Sequence, residues 1–214
     1  MKLIFVTLFP NLIKPYFEDS IMKRALDKGF FTIDFINFRD YAENKHNKVD
    51  TSLVGGGAGM ILDNIALRNS LKQLQKENPN SKTIFLTPVA KTFHQKDAIR
   101  LAKEETIIFV NGRYEGFDER LIEDFANEVL SIGDFVITGG ELASLVIADA
   151  VLRNVEGVLG NNQSLKGESF ENNLLEAPNF SKMGKVPTIL KGGNHKKIEE
   201  WKLQTAICKT KFHH

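Results

Sequence analysis

The sequence predicts an α/β protein with a mostly parallel sheet that is covered by helices on both faces. Short apolar runs of β-type residues alternate with segments of helical spacing along the first 160 residues. Parallel strands need crossover helices, and strands buried on both faces are almost continuously apolar. Two of the apolar runs, residues 107–110 and 135–138, border glycine turns. Such turns at the carboxyl ends of strands favour a ligand pocket with walls of main chain.

The elements of the first part follow from local patterns. Residues 2–8 form an apolar run and predict the first strand, and residues 11–28 have the apolar spacing of a helix. Residues 30–38 alternate with period two, which predicts the second strand. Residues 39–54 are polar and lack an apolar period, so we expect a long loop of the kind that is usually functional or mobile.

The later elements continue the alternation. They are predicted as helix 62–75, strand 83–86, helix 93–103, strand 107–110, helix 117–126, a short extended piece 129–132, strand 135–138 and helix 141–152. Residues 161–182 are polar and without period, and they predict a flexible linker or lid. A last helix is expected at 195–208. The chain therefore divides into a main domain at 1–160, the linker at 161–182 and a small helical C-terminal domain at 183–214.

The composition is that of an ordinary soluble globular protein. Of the 214 residues, 42% are apolar and 26% are charged. The single cysteine, Cys208, excludes an internal disulfide framework and fits a reducing cytoplasm. The apolar run at the N-terminus is too short to span a membrane, so no membrane association is expected.

The C-terminal part is basic, although the net charge of the whole chain is only +1. From residue 181 onward there are eight lysines and two glutamates. This asymmetry favours a polyanionic partner, but a solvated lysine-rich helix explains the same pattern.

The common nucleotide, phosphate and hydrolase signatures are absent from the sequence. It contains no GxGxxG register, no GxxxxGK(S/T), no HExxH and no GxSxG. Residues 55–59 nevertheless carry four glycines, each of which costs about 0.5–1 kcal/mol relative to alanine in a regular element. We interpret this run as a loop whose backbone approaches a ligand closely, with a flexible turn as the alternative.

Five segments stand in one order along the chain: LFP at 8–10, GGGAGM at 55–60, GRYEGFDER at 112–120, SIGDFVITGGEL at 131–142 and GNH at 193–195. With them the chain closely resembles the bacterial tRNA (guanine-N1)-methyltransferases of the SPOUT class, over essentially its whole length. The resemblance implies methyl transfer from S-adenosylmethionine to N1 of the guanosine immediately 3′ of the anticodon. It also implies a deep trefoil knot, which departs from the rule of unknotted chains, and a homodimer whose active sites are built from both subunits.

The resemblance implies a donor site formed largely by main chain. The matching residues are Leu86, Thr87, Pro88, Gly112, Tyr114, Glu115, Ser131, Ile132, Gly133, Asp134, Phe135, Val136, Ile137, Gly139 and Gly140. A carboxylate near the sulfonium would offset its positive charge, which gives Glu115 a role. The alternatives for Glu115 are a surface acid and a salt bridge between subunits.

Two catalytic residues are implied by the resemblance, Glu168 and Arg153. Glu168 stands where the family has an aspartate and would remove the N1 proton, a contribution of about 10²–10⁴-fold for an aligned general base. Arg153 would hold the guanine and stabilise negative charge on O6 with two N–H donors. Without the resemblance, Glu168 fits a solvated loop acid and Arg153 fits a cation at a helix C-terminus.

The implied partner is tRNA, whose target base must leave its stack to reach the donor. Candidate substrate contacts are Gly57, Gly59, Met60, His46 and Asp50, and each is also explained as an ordinary loop residue. The resemblance implies that Mg²⁺ supports the reaction, but no carboxylate cluster in the sequence identifies a protein-held metal site. Relative to the family, the chain has fewer residues after Lys182 and a truncated C-terminal domain.

Two other function classes stay open at this point. One is a non-catalytic RNA-binding module, which would use the basic tail and the polar loops without turnover. The other is a SPOUT methyltransferase that modifies rRNA or a different tRNA position.

Overall fold

The computed structural model describes residues 1–161, 165 and 167–213. These residues divide into two compact units, Met1–Gly160 and Asn161–His214. Residues 162–164 and 166 of the predicted linker, and His214 of the predicted C-terminal domain, lie outside the described residues. The separate linker, 161–182, stays a prediction.

The first unit is built on a five-stranded sheet with the strand order β2-β1-β6-β5-β7, in which every pair of neighbours is parallel. Its strands are β1 (Lys2–Val6), β2 (Thr32–Ile36), β5 (Lys82–Thr92), β6 (Thr106–Asn111) and β7 (Glu128–Ser131). A small antiparallel pair consists of β3 (Asp50–Ser52) and β4 (Met60–Leu62). The predicted α/β class with a mostly parallel sheet is confirmed.

Five helices of this unit connect and cover the sheet: α1 (Ser20–Asp27), α2 (Asn64–Glu77), α3 (Gln95–Leu101), α4 (Glu119–Phe125) and α5 (Gly140–Leu152). Aspartates begin three of them. The Asp19 side chain accepts from the Ser20 N–H at 2.5 Å, Asp63 from the Ile65 N–H at 2.7 Å and Asp118 from the Arg120 N–H at 3.0 Å. Such caps satisfy backbone donors that have no partner within the helix.

The core lies on both faces of the sheet, as the alternation of side chains along β1 shows. Leu3 and Phe5 pack with α1, α3 and α5 on one face. Ile4 and Val6 pack with α2 and α4 on the other. All four side chains are buried, so residues 3–6 of this strand are continuously apolar rather than alternating between apolar and polar.

Two sequence predictions about the later strands need correction. The predicted strand at 135–138 is wrong, because this segment is an irregular loop in which Phe135 and Val136 are exposed. The edge of the sheet is taken by β7 instead. The apolar residues at 135–138 form the wall of a cavity, and an apolar run alone does not distinguish this from a buried strand.

Strand β5 also departs from the prediction, since it continues past Leu86 and Pro88 to Thr92. Leu130 of β7 pairs with both Leu86 and Lys91, so the residues between them leave the ladder as an excursion. The predicted loop at 39–54 contains β3, which sequence patterning missed because the strand has only three residues, Asp50–Ser52.

The second unit is dominated by α6 (His195–His213), which extends beyond the predicted end at residue 208. The segment before α6 packs on this helix. The Leu175 N–H donates to Thr210 Oγ1 at 2.8 Å, and the Phe180 and Trp201 rings lie 6.2 Å apart. Within the part of the chain that the structure describes, no helix combines the length and apolar character needed to cross a membrane.

Candidate functional site

A cavity of about 620 Å³ lies at the carboxyl ends of β5, β6 and β7, which is the usual position for ligands in open α/β sheets. Its volume is in the range typical of small-molecule sites. The walls are three segments at residues 86–91, 112–117 and 129–140, with additional side chains from α4 and α5. Most of the predicted donor residues line it: Leu86, Thr87, Pro88, Gly112, Tyr114, Glu115, Ser131, Ile132, Phe135, Val136, Ile137, Gly139 and Gly140. Gly133 and Asp134 are outside the lining, although they belong to the same loop.

The first wall is the excursion of β5 between Leu86 and Lys91. It is tied down at its end, where Lys91 Nζ lies 3.2 Å from Asp97 Oδ1 at the start of α3. Asp97 also accepts from the His94 N–H at 3.1 Å and contacts Arg100 at 3.2 Å. Burial raises the pKa of the Asp97 carboxyl, but these hydrogen bonds and charges outweigh it and leave the pKa below its usual 3.8.

The second wall is the turn after β6, in which Tyr114 has the left-handed value φ +57°. This conformation is uncommon for a residue with a side chain and is often found at functional sites. The turn joins the β3–β4 pair, because the Glu115 N–H donates to the Met60 carbonyl at 2.9 Å and the Leu62 N–H to the Gly116 carbonyl at 3.3 Å. The turn and the glycine-rich loop are therefore fixed to one another.

The third wall is the loop after β7, which is stabilised at its start by a serine clamp. Ser131 Oγ donates to the Gly133 carbonyl at 3.0 Å and accepts from the Gly133 N–H at 3.1 Å. The Phe135 N–H then donates to the Gly133 carbonyl at 2.9 Å. The clamp turns the chain away from the sheet, so the apolar side chains that follow face the cavity and solvent rather than the core.

Two glycines close the third wall against the second. The Gly140 N–H donates to the Gly112 carbonyl at 2.9 Å. A Cβ at Gly140 would lie 2.9 Å from both Asn111 Cα and Gly112 N, which are backbone atoms without freedom to yield. A Cβ at Gly139 would meet the Arg113 side chain. These glycines therefore bring the backbones of the second and third walls into direct contact.

A buried polar network that sequence patterning missed lies behind these glycines. Glu141, whose side chain is 2% exposed, accepts from Thr7 Oγ1 at 2.7 Å and lies 3.0 Å from Arg113 Nη2. The second contact is an ion pair rather than an aligned hydrogen bond, since Glu141 Oε2 and Arg113 Nε have no hydrogen-bond partner among the described residues. In the sequence, this network is indicated only by the positions of Arg113 and Glu141 within the motifs GRYEGFDER and SIGDFVITGGEL.

The predicted substrate residues fall into two groups. Gly57, Gly59 and Met60 lie in the glycine-rich loop and β4, and a Cβ at Gly59 would lie 2.8 Å from Glu115 Cγ. This loop therefore borders the turn after β6, which forms the second wall of the cavity. Asp50 is part of β3 and pairs with Leu62, whereas the exposed His46 lies in a turn where its N–H donates to Asn44 Oδ1 at 3.3 Å.

The two predicted catalytic residues lie in different units. Arg153 is half-buried and ends α5, at the opposite end of that helix from Gly140. Glu168 is half-buried in the second unit, where its carbonyl accepts from the Glu171 N–H at 3.2 Å. Among the described residues, no group of three or more His, Cys, Asp or Glu side chains is arranged to hold a metal ion.

Comparison with known proteins agrees with the motifs. The whole chain, residues 1–214, matches the family described as tRNA (Guanine-1)-methyltransferase TrmD. It is similar to the tRNA (guanine-N(1)-)-methyltransferase of Sulfurovum sp. (strain NBC37-1), with 55% identity over 217 residues that cover 99% of this chain and 96% of the relative. The enzyme of the same description from Campylobacter jejuni (strain RM1221) is 53% identical over 221 residues, which cover 99% of this chain and 94% of the relative.

Proposed function

Because the chain belongs to the tRNA (guanine-1)-methyltransferase family, we propose that it transfers a methyl group from S-adenosylmethionine to N1 of the guanosine immediately 3′ of the anticodon in tRNA. The observation that supports this proposal is the cavity of about 620 Å³, which is lined by most of the residues that the resemblance assigns to the donor. These residues come from motifs that are far apart in the sequence and lie together in the folded chain.

The residues of the cavity fit S-adenosylmethionine, which supplies an electrophilic methyl group on a positively charged sulfur. Gly112, Gly139 and Gly140 line the cavity, so its walls there are main chain. Their missing side chains leave room for neighbouring parts of the protein and bring these walls close together. Glu115 lines the cavity and provides a carboxylate to offset the charge of the sulfonium. The exposed Phe135 and Val136 provide apolar surface for a flat base or a thioether chain.

Glu168 is proposed as the general base that accepts the N1 proton of guanine, and Arg153 as the residue that binds O6. Removing the proton leaves negative charge on O6, which a guanidinium stabilises through charge-assisted hydrogen bonds. When bound, S-adenosylmethionine would supply the methyl group to N1, and its carbon–sulfur bond would break to leave a neutral sulfur. Glu168 would hold the proton that N1 gives up.

A homodimer is proposed because Arg153 lies far along α5 from the part of the donor cavity that Gly140 lines. Arg153 and Gly140 lie at opposite ends of α5, which has 13 residues, so they are separated by about 20 Å at 1.5 Å per residue. A second copy of the chain can supply the distant arginine. A donor site from one subunit and Arg153 from the other would then form each active centre.

An apolar face on the first unit offers a surface for that second copy. It comprises five exposed residues: Phe9, Leu12, Tyr16, Leu142 and Val146. Tyr16 is joined to α5, since its hydroxyl donates to Asp149 Oδ1 at 2.7 Å. Exposed apolar residues that cluster in this way typically mark an interaction surface.

The RNA is proposed to contact the exposed turn near His46, the glycine-rich loop and the lysines of α6. Lysine contacts to phosphates provide affinity that falls with salt, whereas base contacts provide selectivity. A tRNA substrate and the single exposed cysteine, Cys208, fit a cytoplasmic location. The family resemblance includes support of the reaction by Mg²⁺, for which we assign no ligand among the described residues.

The decisive experiment is a methylation assay with tRNA transcripts and labelled S-adenosylmethionine. Transcripts with guanosine 3′ of the anticodon should become labelled, and matched transcripts with adenosine there should not. Mapping the labelled nucleotide separates this function from methylation of another RNA position. Titration calorimetry with S-adenosylmethionine separates it from a non-catalytic RNA-binding module, for which no heat of donor binding is expected.

A further inference from the structure

We infer that Arg113 is a positioning residue for the methyl-donor cavity, acting through the loop at 132–140 rather than on the reacting atoms. This inference deepens the proposed function and rests on it. The Arg113 side chain is largely buried, at 18% exposure, and it turns from the second wall towards the third. There it contacts the Thr138 carbonyl, the Glu141 carboxylate and the Phe9 ring.

The first contact is with the loop itself. Arg113 Nη1 donates to the Thr138 carbonyl at 3.2 Å, and the arginine side chain fills the space where a side chain of Gly139 would be. Thr138 and Gly139 both line the cavity. The position of the third wall therefore depends on where the guanidinium lies.

The second contact is with a buried charge. Glu141 begins α5 directly after the loop, and Arg113 Nη2 lies 3.0 Å from its Oε2. Thr7 Oγ1 donates to the other carboxylate oxygen at 2.7 Å. Thr7 follows β1, so Glu141 links the end of a central strand to the start of α5, and Arg113 provides the compensating charge.

The third contact fixes the orientation of the guanidinium. Its central carbon lies 4.6 Å from the centroid of the Phe9 ring, a distance typical of cation–π stacking. The Phe9 N–H donates to Thr7 Oγ1 at 2.9 Å, so the ring and the hydroxyl belong to one turn. A planar group that is stacked on a ring, hydrogen-bonded at one N–H and ion-paired at another has little rotational freedom.

These contacts make a continuous path from β1 to the cavity wall. The turn after β1 orients Glu141 and Arg113, and Arg113 holds the Thr138 carbonyl and packs against Gly139. The function of the path is to preorganise the loop before the donor arrives. Preorganisation of this kind contributes to ligand affinity because the free loop would otherwise have to be ordered on binding.

The test is donor affinity in the double variant Arg113→Gln/Glu141→Gln, measured by calorimetry without tRNA. Replacing both residues removes both charges together, so neither is left buried alone. We expect thermal unfolding close to that of the wild type and a Kd for S-adenosylmethionine raised by about tenfold or more, since hydrogen bonds from charged groups contribute at this level. The fold-rise in KM for the donor should exceed any fall in kcat, because the loop is ordered once the donor is bound.

The single variant Arg113→Lys provides a second measurement that does not depend on the folding of the double variant. Lysine keeps the charge but cannot bond Thr138 and Glu141 at once with a planar fork, so a severalfold higher Kd is expected. Arg120→Gln is the matched control, because Arg120 is an exposed arginine on α4 and pairs with Asp118. Its Kd should equal that of the wild type.

The outcomes separate the inference from the proposed function. If wild-type protein binds no S-adenosylmethionine, the proposed function fails. If wild-type protein binds the donor and the Arg113 variants bind it equally well, the proposed function stands and the positioning role is wrong. A loss of stability in either Arg113 variant without any loss of donor affinity would also assign Arg113 a purely structural role.

Discussion

Gly59 leaves space that the Glu115 side chain occupies: a Cβ at this glycine would lie 2.8 Å from Glu115 Cγ and 2.9 Å from Cδ. The loop proposed to meet the RNA and the carboxylate proposed to face the sulfonium are thus in direct contact. Two backbone hydrogen bonds beside this contact, Glu115 N–H to Met60 and Leu62 N–H to Gly116, keep the two segments in register.

The first prediction is that Gly59→Ala weakens donor binding through Glu115. The new methyl group must displace the carboxylate, so we expect the Kd for S-adenosylmethionine to rise by about tenfold. Gly55→Ala is the matched control, because Gly55 has a similar φ, +92° against +99°, and no atom within 4 Å of its Cβ position. Both variants share the backbone strain, and only Gly59→Ala should lose affinity. Equal Kd values in calorimetry would show that Glu115 is not held by this contact.

The second prediction concerns Gly140, whose missing Cβ allows the third wall to approach β6. In Gly140→Ala the methyl group would press on the backbone of Asn111 and Gly112, and overpacking of this kind costs about 1–3 kcal/mol. We expect Tm to fall by about 2–4 °C for each kcal/mol lost. Gly140→Val should abolish donor binding altogether.

Gly160→Ala is the control for Gly140, since nothing lies within 4 Å of the Cβ position of Gly160. Its unfolding free energy should change by no more than about 0.5 kcal/mol. Near-native stability and donor affinity in Gly140→Ala would mean that the turn can move away from Asn111 and Gly112 without loss of unfolding free energy.

The sequence allowed prediction of the features that depend on local pattern. Buried strands such as β1 and β6 were recognisable because most of their residues face one of two apolar layers. The turn at Gly139 and Gly140 was recognisable because paired glycines directly after an apolar run indicate a turn in which the backbone is closely approached. The resemblance to a family then extended this local reading to the donor residues as a set.

Features that depend on distant partners could not be predicted in this way. Residues 135–138 read as a strand because the pattern does not reveal that β7 already occupies the edge of the sheet. Glu141 finds Thr7 across 134 residues of sequence, and only the folded chain brings them together. The excursion within β5 was also hidden, since a strand that leaves its ladder and returns has no distinct composition.

The third prediction is a pH dependence of stability that originates at Asp97. Its folded pKa is lower than the usual 3.8, so its contribution is present above about pH 4 and is lost as the pH falls through the folded value. Asp97→Asn should therefore be less stable than the wild type at pH 7, by about 1–3 kcal/mol. The difference in unfolding free energy between the wild type and Asp97→Asn, measured by urea unfolding, should decrease steadily below pH 4.

A surface acid provides the control for Asp97. Asp27 forms an exposed pair with Lys23, and such pairs contribute about 0–1 kcal/mol. Asp27→Asn should follow the wild-type pH profile. If the difference in unfolding free energy between the wild type and Asp97→Asn stayed constant from pH 7 to pH 3, the pH dependence would not originate at Asp97.

The fourth prediction addresses the proposed base. Glu168→Gln should lower kcat by about 10²–10⁴-fold, because glutamine cannot accept the N1 proton. The Kd for S-adenosylmethionine should stay at the wild-type value, since the donor is bound by other residues. Glu168→Asp, which restores the family's residue, should keep substantial activity. The exposed Glu156, changed to Gln, serves as control, and an unaltered kcat in Glu168→Gln would remove this residue from the mechanism.

The fifth prediction tests whether Arg153 acts on the partner's donor site. Gly140→Val lacks a working donor site but keeps Arg153, whereas Arg153→Ala keeps the donor site and lacks the arginine. Each homodimer should be inactive. If Arg153 acts across the interface, a heterodimer of the two variants contains one complete centre, formed by the donor site of one subunit and the arginine of the other.

Such heterodimers can be purified through two different affinity tags, one on each variant. We expect about half of the wild-type activity per dimer, because one of two centres is intact and residues that act as a unit do not compensate for one another. If Arg153 acted within its own subunit, neither centre would be complete and the heterodimer would be as inactive as its parents. The separation of about 20 Å between Arg153 and Gly140 along α5 is the reason for expecting the first result.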